Sequence, residues 1–108
     1  FINMKLIITE SQLEKSVFKY LDMKDPYVLK TSHSYMFFTS RQTIEEGENP
    51  IMNYSMRDKD CFISSDFAED VCTMFSLFPD NALSIISDWV ENKLGVEVTY
   101  YYSDFGAD

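Results

Sequence analysis

The sequence predicts an α+β fold, a two-layer sandwich in which a mixed or antiparallel sheet of four or five strands carries three helices on one face. Three observations lead there. Short aromatic and β-branched runs stand at Tyr35–Thr39, Cys61–Ile63 and Val96–Tyr102. Segments with apolar residues at helical spacing separate them. Apolar residues make up 45% of the 108, and 9 Phe, 7 Tyr and 1 Trp are enough to pack a core without disulfides or metals. The expected order is β-α-β-β-(β)-α-α-β, in a single domain over residues 1–108.

Taken in order, Met4–Ile8 is a short apolar run and reads as a strand. Thr9 then caps a helix, with Gln12 at the third position as a capping box and Ile8 and Leu13 at the staple positions. Leu13, Val17, Tyr20 and Leu21 recur at helical spacing, and Pro26 stops the helix by Asp25. Tyr35–Thr39 follows as a strand. Residues 41–50 form a polar break with Gly47 and Pro50. Residues 51–56 alternate as a strand, turn through the RDKD stretch, and return at Cys61–Ile63. Asp66 and Glu69 have the spacing of a second capping box. Phe67, Val71, Met74, Phe75 and Phe78 mark the face of that helix, which Pro79 ends. Asp80 caps a last helix with Leu83, Ile86, Val90 and Leu94 as its stripe and Gly95 just past its end. Val96–Tyr102 alternates as a closing strand, and the chain beyond Asp104 is expected to fray. The chain reads naturally from Met4, which leaves Phe1-Ile2-Asn3 as a vector remnant or an upstream start.

Charge narrows the function classes. Nine Lys and Arg face eighteen Asp and Glu, a net −9. The bases are scattered, so no phosphate-binding patch forms, and neither nucleic acid nor an anionic membrane is expected as a partner. No apolar run approaches the ~18 residues of a membrane span. Two cysteines, Cys61 and Cys72, are too few and too far apart for a zinc ribbon or a CxxC pair, and two free thiols fit a reducing, cytoplasmic compartment. A single disulfide between them stays open.

Reactive constellations are sparse. His33 is the lone histidine, and neither a GxSxG elbow nor a cysteine-protease signature accompanies it. With Asp58 as position one, Asp60, Asp66 and Glu69 match calcium-loop offsets, but Phe62 and Ile63 stand where an oxygen ligand and a glycine are needed. Three glycines, Gly47, Gly95 and Gly106, draw no phosphate loop. No catalytic residue, metal or cofactor is therefore expected.

Two stretches, Lys5-Leu6-Ile7-Ile8-Thr9-Glu10-Ser11-Gln12-Leu13 and Trp89-Val90-Glu91-Asn92-Lys93-Leu94-Gly95, resemble small uncharacterised proteins of tailed phages and marine metagenomes. The resemblance implies a phage-related protein made inside a host cell. It brings no activity and no site residues.

The functional expectation is a non-enzymatic protein-interaction module, an assembly subunit or an inhibitor of a larger protein, whose partner is another protein or a second copy. Unpaired strand edges and exposed aromatics make Tyr35, Phe37, Tyr101 and Phe105 the candidate contacts, and Asp66, Glu69 and Asp70 a candidate acidic patch. In Tyr100-Tyr101-Tyr102, alternation buries Tyr100 and Tyr102 and exposes Tyr101, or the reverse. One of Phe37 and Phe38 must face away from the core. Two other readings compete. From Asp60 onward Lys93 is the only base against ten acids, the bias of a DNA-mimic inhibitor. A small enzyme or ligand-binding domain using Asp or Glu with Tyr is the third.

Overall fold

A helix opens the chain where a strand was expected. In the computed structural model, which describes the backbone of residues 2–105 and the side chains of residues 12–105, α1 spans Ile2–Lys24. Met4–Ile8 is therefore helical, and Thr9, Gln12 and Leu13 lie inside the helix rather than at its start. A five-residue apolar run reads alike as strand or helix. Neither Gly nor Pro interrupts the sequence before Pro26, so nothing stops the helix from extending through it. The proposed staple contact of Ile8 falls outside the described side chains. The helix does end where expected. Asp25 turns left-handed at φ 44, and its N–H donates to the Leu21 and Asp22 carbonyls at 3.2 Å each. Pro26 bars a further helical residue before it.

Five strands follow: β1 Tyr27–Lys30, β2 Ser34–Phe38, β3 Met52–Ser55, β4 Asp60–Ile63 and β5 Tyr100–Ser103. They lie in that order in one sheet. β1 to β4 are antiparallel neighbours, and β5 joins β4 in parallel. β1 escapes a reading by sequence because its four residues carry no turn glycine on either side. The Thr31 hydroxyl makes the turn instead, accepting the N–H groups of His33 at 3.2 Å and Ser34 at 2.9 Å. The expected polar break at 41–50 holds a one-turn helix, α2 (Arg41–Glu45), packed against β2. The β3–β4 turn is closed without glycine by Lys59 at φ 57, whose N–H donates to Ser55 O at 2.8 Å.

A parallel neighbour needs a crossover, and α3 (Ser65–Phe75) with α4 (Pro79–Leu94) supplies it between β4 and β5. The fold is thus α+β, with a mixed five-stranded sheet and, among the described residues, four helices rather than three. The caps differ from the expected ones. Asp66 sits in the first turn of α3, not at its cap, and the Ser65 N–H donates to Asp104 Oδ1 at 2.7 Å, from 39 residues away. α3 stops at Phe75, where Ser76 turns left-handed at φ 55, so Pro79 does not end it but begins α4. Asp80 lies in the first turn of α4 after Phe78 at the cap. Gly95 closes α4 at φ 67, as its position predicts.

The core lies between the helices and one face of the sheet. Phe37, Met52 and Ile63 stand side by side in register on β2, β3 and β4, and all three are fully buried. Over them come Val17 and Leu21 of α1, Ala68 and Val71 of α3, and Ile86, Trp89 and Val90 of α4. Phe37 meets Trp89 with ring centroids 5.9 Å apart. The Trp89 indole N–H donates to Asp22 Oδ1 at 2.9 Å and so ties α4 to α1, while Tyr20 and Phe75 tie α1 to α3 edge-to-face at 5.6 Å.

The last strand is shorter than the alternating run Val96–Tyr102 implies. Residues 96–99 are held by other partners before any ladder begins. Glu91 accepts the Val98 N–H at 2.8 Å, the Tyr54 hydroxyl donates to Glu97 O at 2.8 Å, and Thr99 N–H donates to Lys59 O at 2.8 Å. Phe105 packs against the core rather than fraying, and residues 106–108 lie outside the described ones.

Two outcomes test this account. Phe37→Ala should cost about 3–5 kcal/mol in urea unfolding, as aromatic truncations in a packed core do, and a smaller loss would show that Phe37 is not under Trp89. Asp104 is held below its usual carboxylate range by the Ser65 N–H bond. A depressed folded pKa contributes stability that is complete above the unfolded value of about 3.9 and vanishes as pH falls through the folded one. Asp104→Ala should therefore lower the urea midpoint at pH 7 and match the parent chain near pH 2.

Candidate functional site

Alternation along the strands turns a second set of side chains to the face of the sheet opposite the core that α1, α3 and α4 cover. Its central row runs straight across all five strands: Leu29, Met36, Asn53, Phe62 and Tyr102, each the register partner of the next. None of these side chains belongs to the core cluster. Leu29, Met36, Asn53 and Phe62 are half-buried and Tyr102 is exposed. At the β5 end Phe62 and Tyr102 stand 5.4 Å apart, and Tyr102 stacks on Tyr100 at 5.7 Å with an interplanar angle of 20°. Asp60 is the register partner of Tyr100 and shares its face. Burial, then the Asp60 carboxylate and, more weakly, Asp58, push the Tyr102 phenol above its usual range. At the centre of the row Asn53 Oδ1 is covered by neighbours and has no hydrogen-bond partner among the described residues. An unpaired acceptor of that kind costs stability in the isolated protein.

The expected contact residues divide between the two faces. Phe37 is corrected outright: it is 0% exposed and sits at the centre of the core. Of the Phe37–Phe38 pair, Phe38 is the one facing away, and with 5% exposure it too offers no surface. Tyr35 lies on the helix side, half-buried, against Tyr54 at 6.3 Å with Lys30 Nζ 5.7 Å from its ring. Tyr101 shares that side as the partner of buried Cys61, and Phe105 packs on the core. The tyrosine triplet does not split into buried and exposed. Tyr100, Tyr101 and Tyr102 are 62%, 38% and 40% exposed, because an edge strand has a neighbour on one side only. Phe62 and Leu29 were missed as surface residues. Alternation against Cys61 and Ile63 carried the signal for Phe62, whereas Leu29 needed β1 to be recognised.

Asp66, Glu69 and Asp70 are exposed on α3. Asp66 and Asp70, with Asp104 and Glu48, line an open cleft of about 890 Å³ where β4 gives way to α3; Lys24 is its one base, and Phe62 also lines it. The α3 N-terminus opening there is already occupied by the Asp104 carboxylate. Acidic side chains thus border the aromatic end of the open face at both ends of β4, with Asp58 and Asp60 on one side and the cleft on the other.

Chemistry-bearing groups are placed apart. The stretch from Asp58 to Glu69 is a turn, a strand and a helix start, so its carboxylates do not converge as in a calcium loop. Among the described residues no three His, Cys, Asp or Glu side chains group to hold a metal, and no helix is long and apolar enough to cross a membrane. His33 is exposed in the β1–β2 turn. Cys61 and Cys72 are free, not bridged. Burial, reinforced by Asp60, pushes the Cys61 thiol up to about 12, and burial followed by Glu69 raises Cys72.

Comparison of this chain with known protein families, with curated proteins and with solved structures finds no match.

With both thiols held protonated at neutral pH, the thiol rather than the reactive thiolate prevails. An aromatic disulfide reagent at pH 8 should modify half-buried Cys72 slowly and Cys61 only after unfolding in urea. Rapid labelling of Cys61 in the native protein would contradict its burial.

Proposed function

We propose that this chain is a small acidic protein-interaction module, an assembly subunit or an inhibitor of a larger protein, and that it docks through the open face of its sheet. One observation carries the reading: the unbroken row Leu29–Met36–Asn53–Phe62–Tyr102, on the side of the sheet that the three long helices leave bare. The row ends at the exposed, stacked rings of Tyr102 and Tyr100, and exposed aromatic surface of this kind marks interaction sites on soluble proteins. Tyr and Met suit the task, Tyr as a rigid anchor with a polar tip and Met as an adaptable filler. Net charge −9 on each chain opposes two copies meeting face to face and favours a basic or neutral partner.

Display selection of random peptides against the full chain tests the reading, with amide hydrogen exchange to map the contact. Selected peptides should protect β3, β4 and β5, and Phe62→Ser or Tyr102→Ser should weaken them at least about tenfold, as loss of a central aromatic anchor does. Protection confined to α1, α3 or α4, or affinities indifferent to both substitutions, would remove the open face as the docking surface.

A further inference from the structure

The groups around the aromatic end of the open face specify the partner's chemistry; this inference rests on the reading that the open face is the docking surface. Tyr100 and Tyr102 present stacked rings to solvent, with Phe62 behind them. Asp60 stands beside Tyr100 on the same face, and Asp58 lies two residues earlier in the turn. Among the described residues neither carboxylate is in an ion pair. Lys59, the base between them, reaches Glu97 instead at 3.8 Å, and among the described residues Arg57 in the same turn pairs with no acid.

Ring faces are electron-rich and attract cations, and unpaired carboxylates at their margin add to that attraction. Of the two cationic side chains, arginine answers both features at once. Its guanidinium is planar, stacks on a tyrosine ring, and gives two parallel N–H donors to one carboxylate. An ammonium is a compact, strongly hydrated point charge that does one or the other. The charge of the whole chain draws in a basic segment from a distance. We propose that Tyr100, Tyr102 and Asp60 form a docking site for an arginine side chain carried on a basic segment of a protein partner. The acidic cleft of Asp66, Asp70 and Asp104 is the rival destination for such a segment, but it has no stacked pair of exposed rings.

The test uses three blocked peptides with the same apolar residues, bearing arginine, lysine or citrulline, each titrated into the full isotope-labelled chain and followed by amide chemical shifts. The arginine peptide is expected to bind about two- to fivefold tighter than the lysine peptide, the ratio a stacked cation at an exposed ring gives. The citrulline peptide should not saturate. Shifts should centre on Asp60, Phe62, Tyr100 and Tyr102, and Asp60→Asn or Tyr102→Leu should each abolish the arginine preference. Equal binding of arginine and lysine, shifts centred on Asp66 and Asp70, or no binding of any peptide at millimolar concentration would overturn the proposal. If display-selected peptides still need Phe62 and Tyr102 while showing no arginine preference, the arginine site fails and the docking face stands. If they bind regardless of those residues, the docking face itself fails.

Discussion

The structure turns on the register that sets Phe37, Met52 and Ile63 side by side beneath Trp89. Strand side chains alternate, so a slip of one residue in any of the three strands would exchange its two faces. The core would then receive Met36, Asn53 or Phe62 in place of a fully buried apolar side chain. Asn53 opposite Met52 makes that exchange costly, because an amide driven beneath the helices would lose water without gaining a partner. The same register therefore sets both layers. It closes the core on one side and assembles the Leu29–Tyr102 row on the other.

Attachment of β5 follows from that core only indirectly. A parallel strand reached through two helices gains few local contacts, and its entry is held by groups distant in sequence. The Tyr54 hydroxyl, the Glu91 carboxylate and the Lys59 carbonyl fix residues 97–99, and Asp104 closes the far end on the α3 N-terminus. Asp104 thus joins a strand end to a helix start, where the helix dipole and a free N–H both favour a carboxylate. The placement of Tyr100 and Tyr102 on the open face depends on these clamps. The exposed Lys59–Glu97 pair adds little to them, as surface ion pairs do.

The functional reading has the same physical root. Three helices cover one face of a five-stranded sheet; of the large apolar side chains left exposed, Tyr100 and Tyr102 stack on the open face, whereas Met23, Met74 and Phe78 stand on or beside the helices. Acidic side chains border the Tyr100–Tyr102 end of the open face and leave its margin negative. Such a surface favours a basic protein over a copy of itself.

Much of the fold was legible in the sequence. The two helices after Ser64, the Leu83–Ile86–Val90 stripe, the Gly95 stop and the alternation of β3 and β4 follow from spacing, because each is decided within a few residues; Met74 and Phe78, read as part of the α3 stripe, are exposed instead. Other features were not. Met4–Ile8 read as a strand, since a short apolar run takes its state from what flanks it, and here an uninterrupted helix continues through it. β1 was missed because a threonine hydroxyl, not glycine, makes its turn. Asp66 looked like a cap, yet the acceptor at that helix start comes from Asp104, a contact that no local pattern carries. Alternation alone sets Phe62 opposite Cys61 and Ile63 across the strand and turns one of Phe37 and Phe38 outward. Which face the helices cover is set by long-range packing, because it depends on how α1, α3 and α4 come together over Phe37. That packing is what buried Phe37 and left Tyr100 and Tyr102 in water.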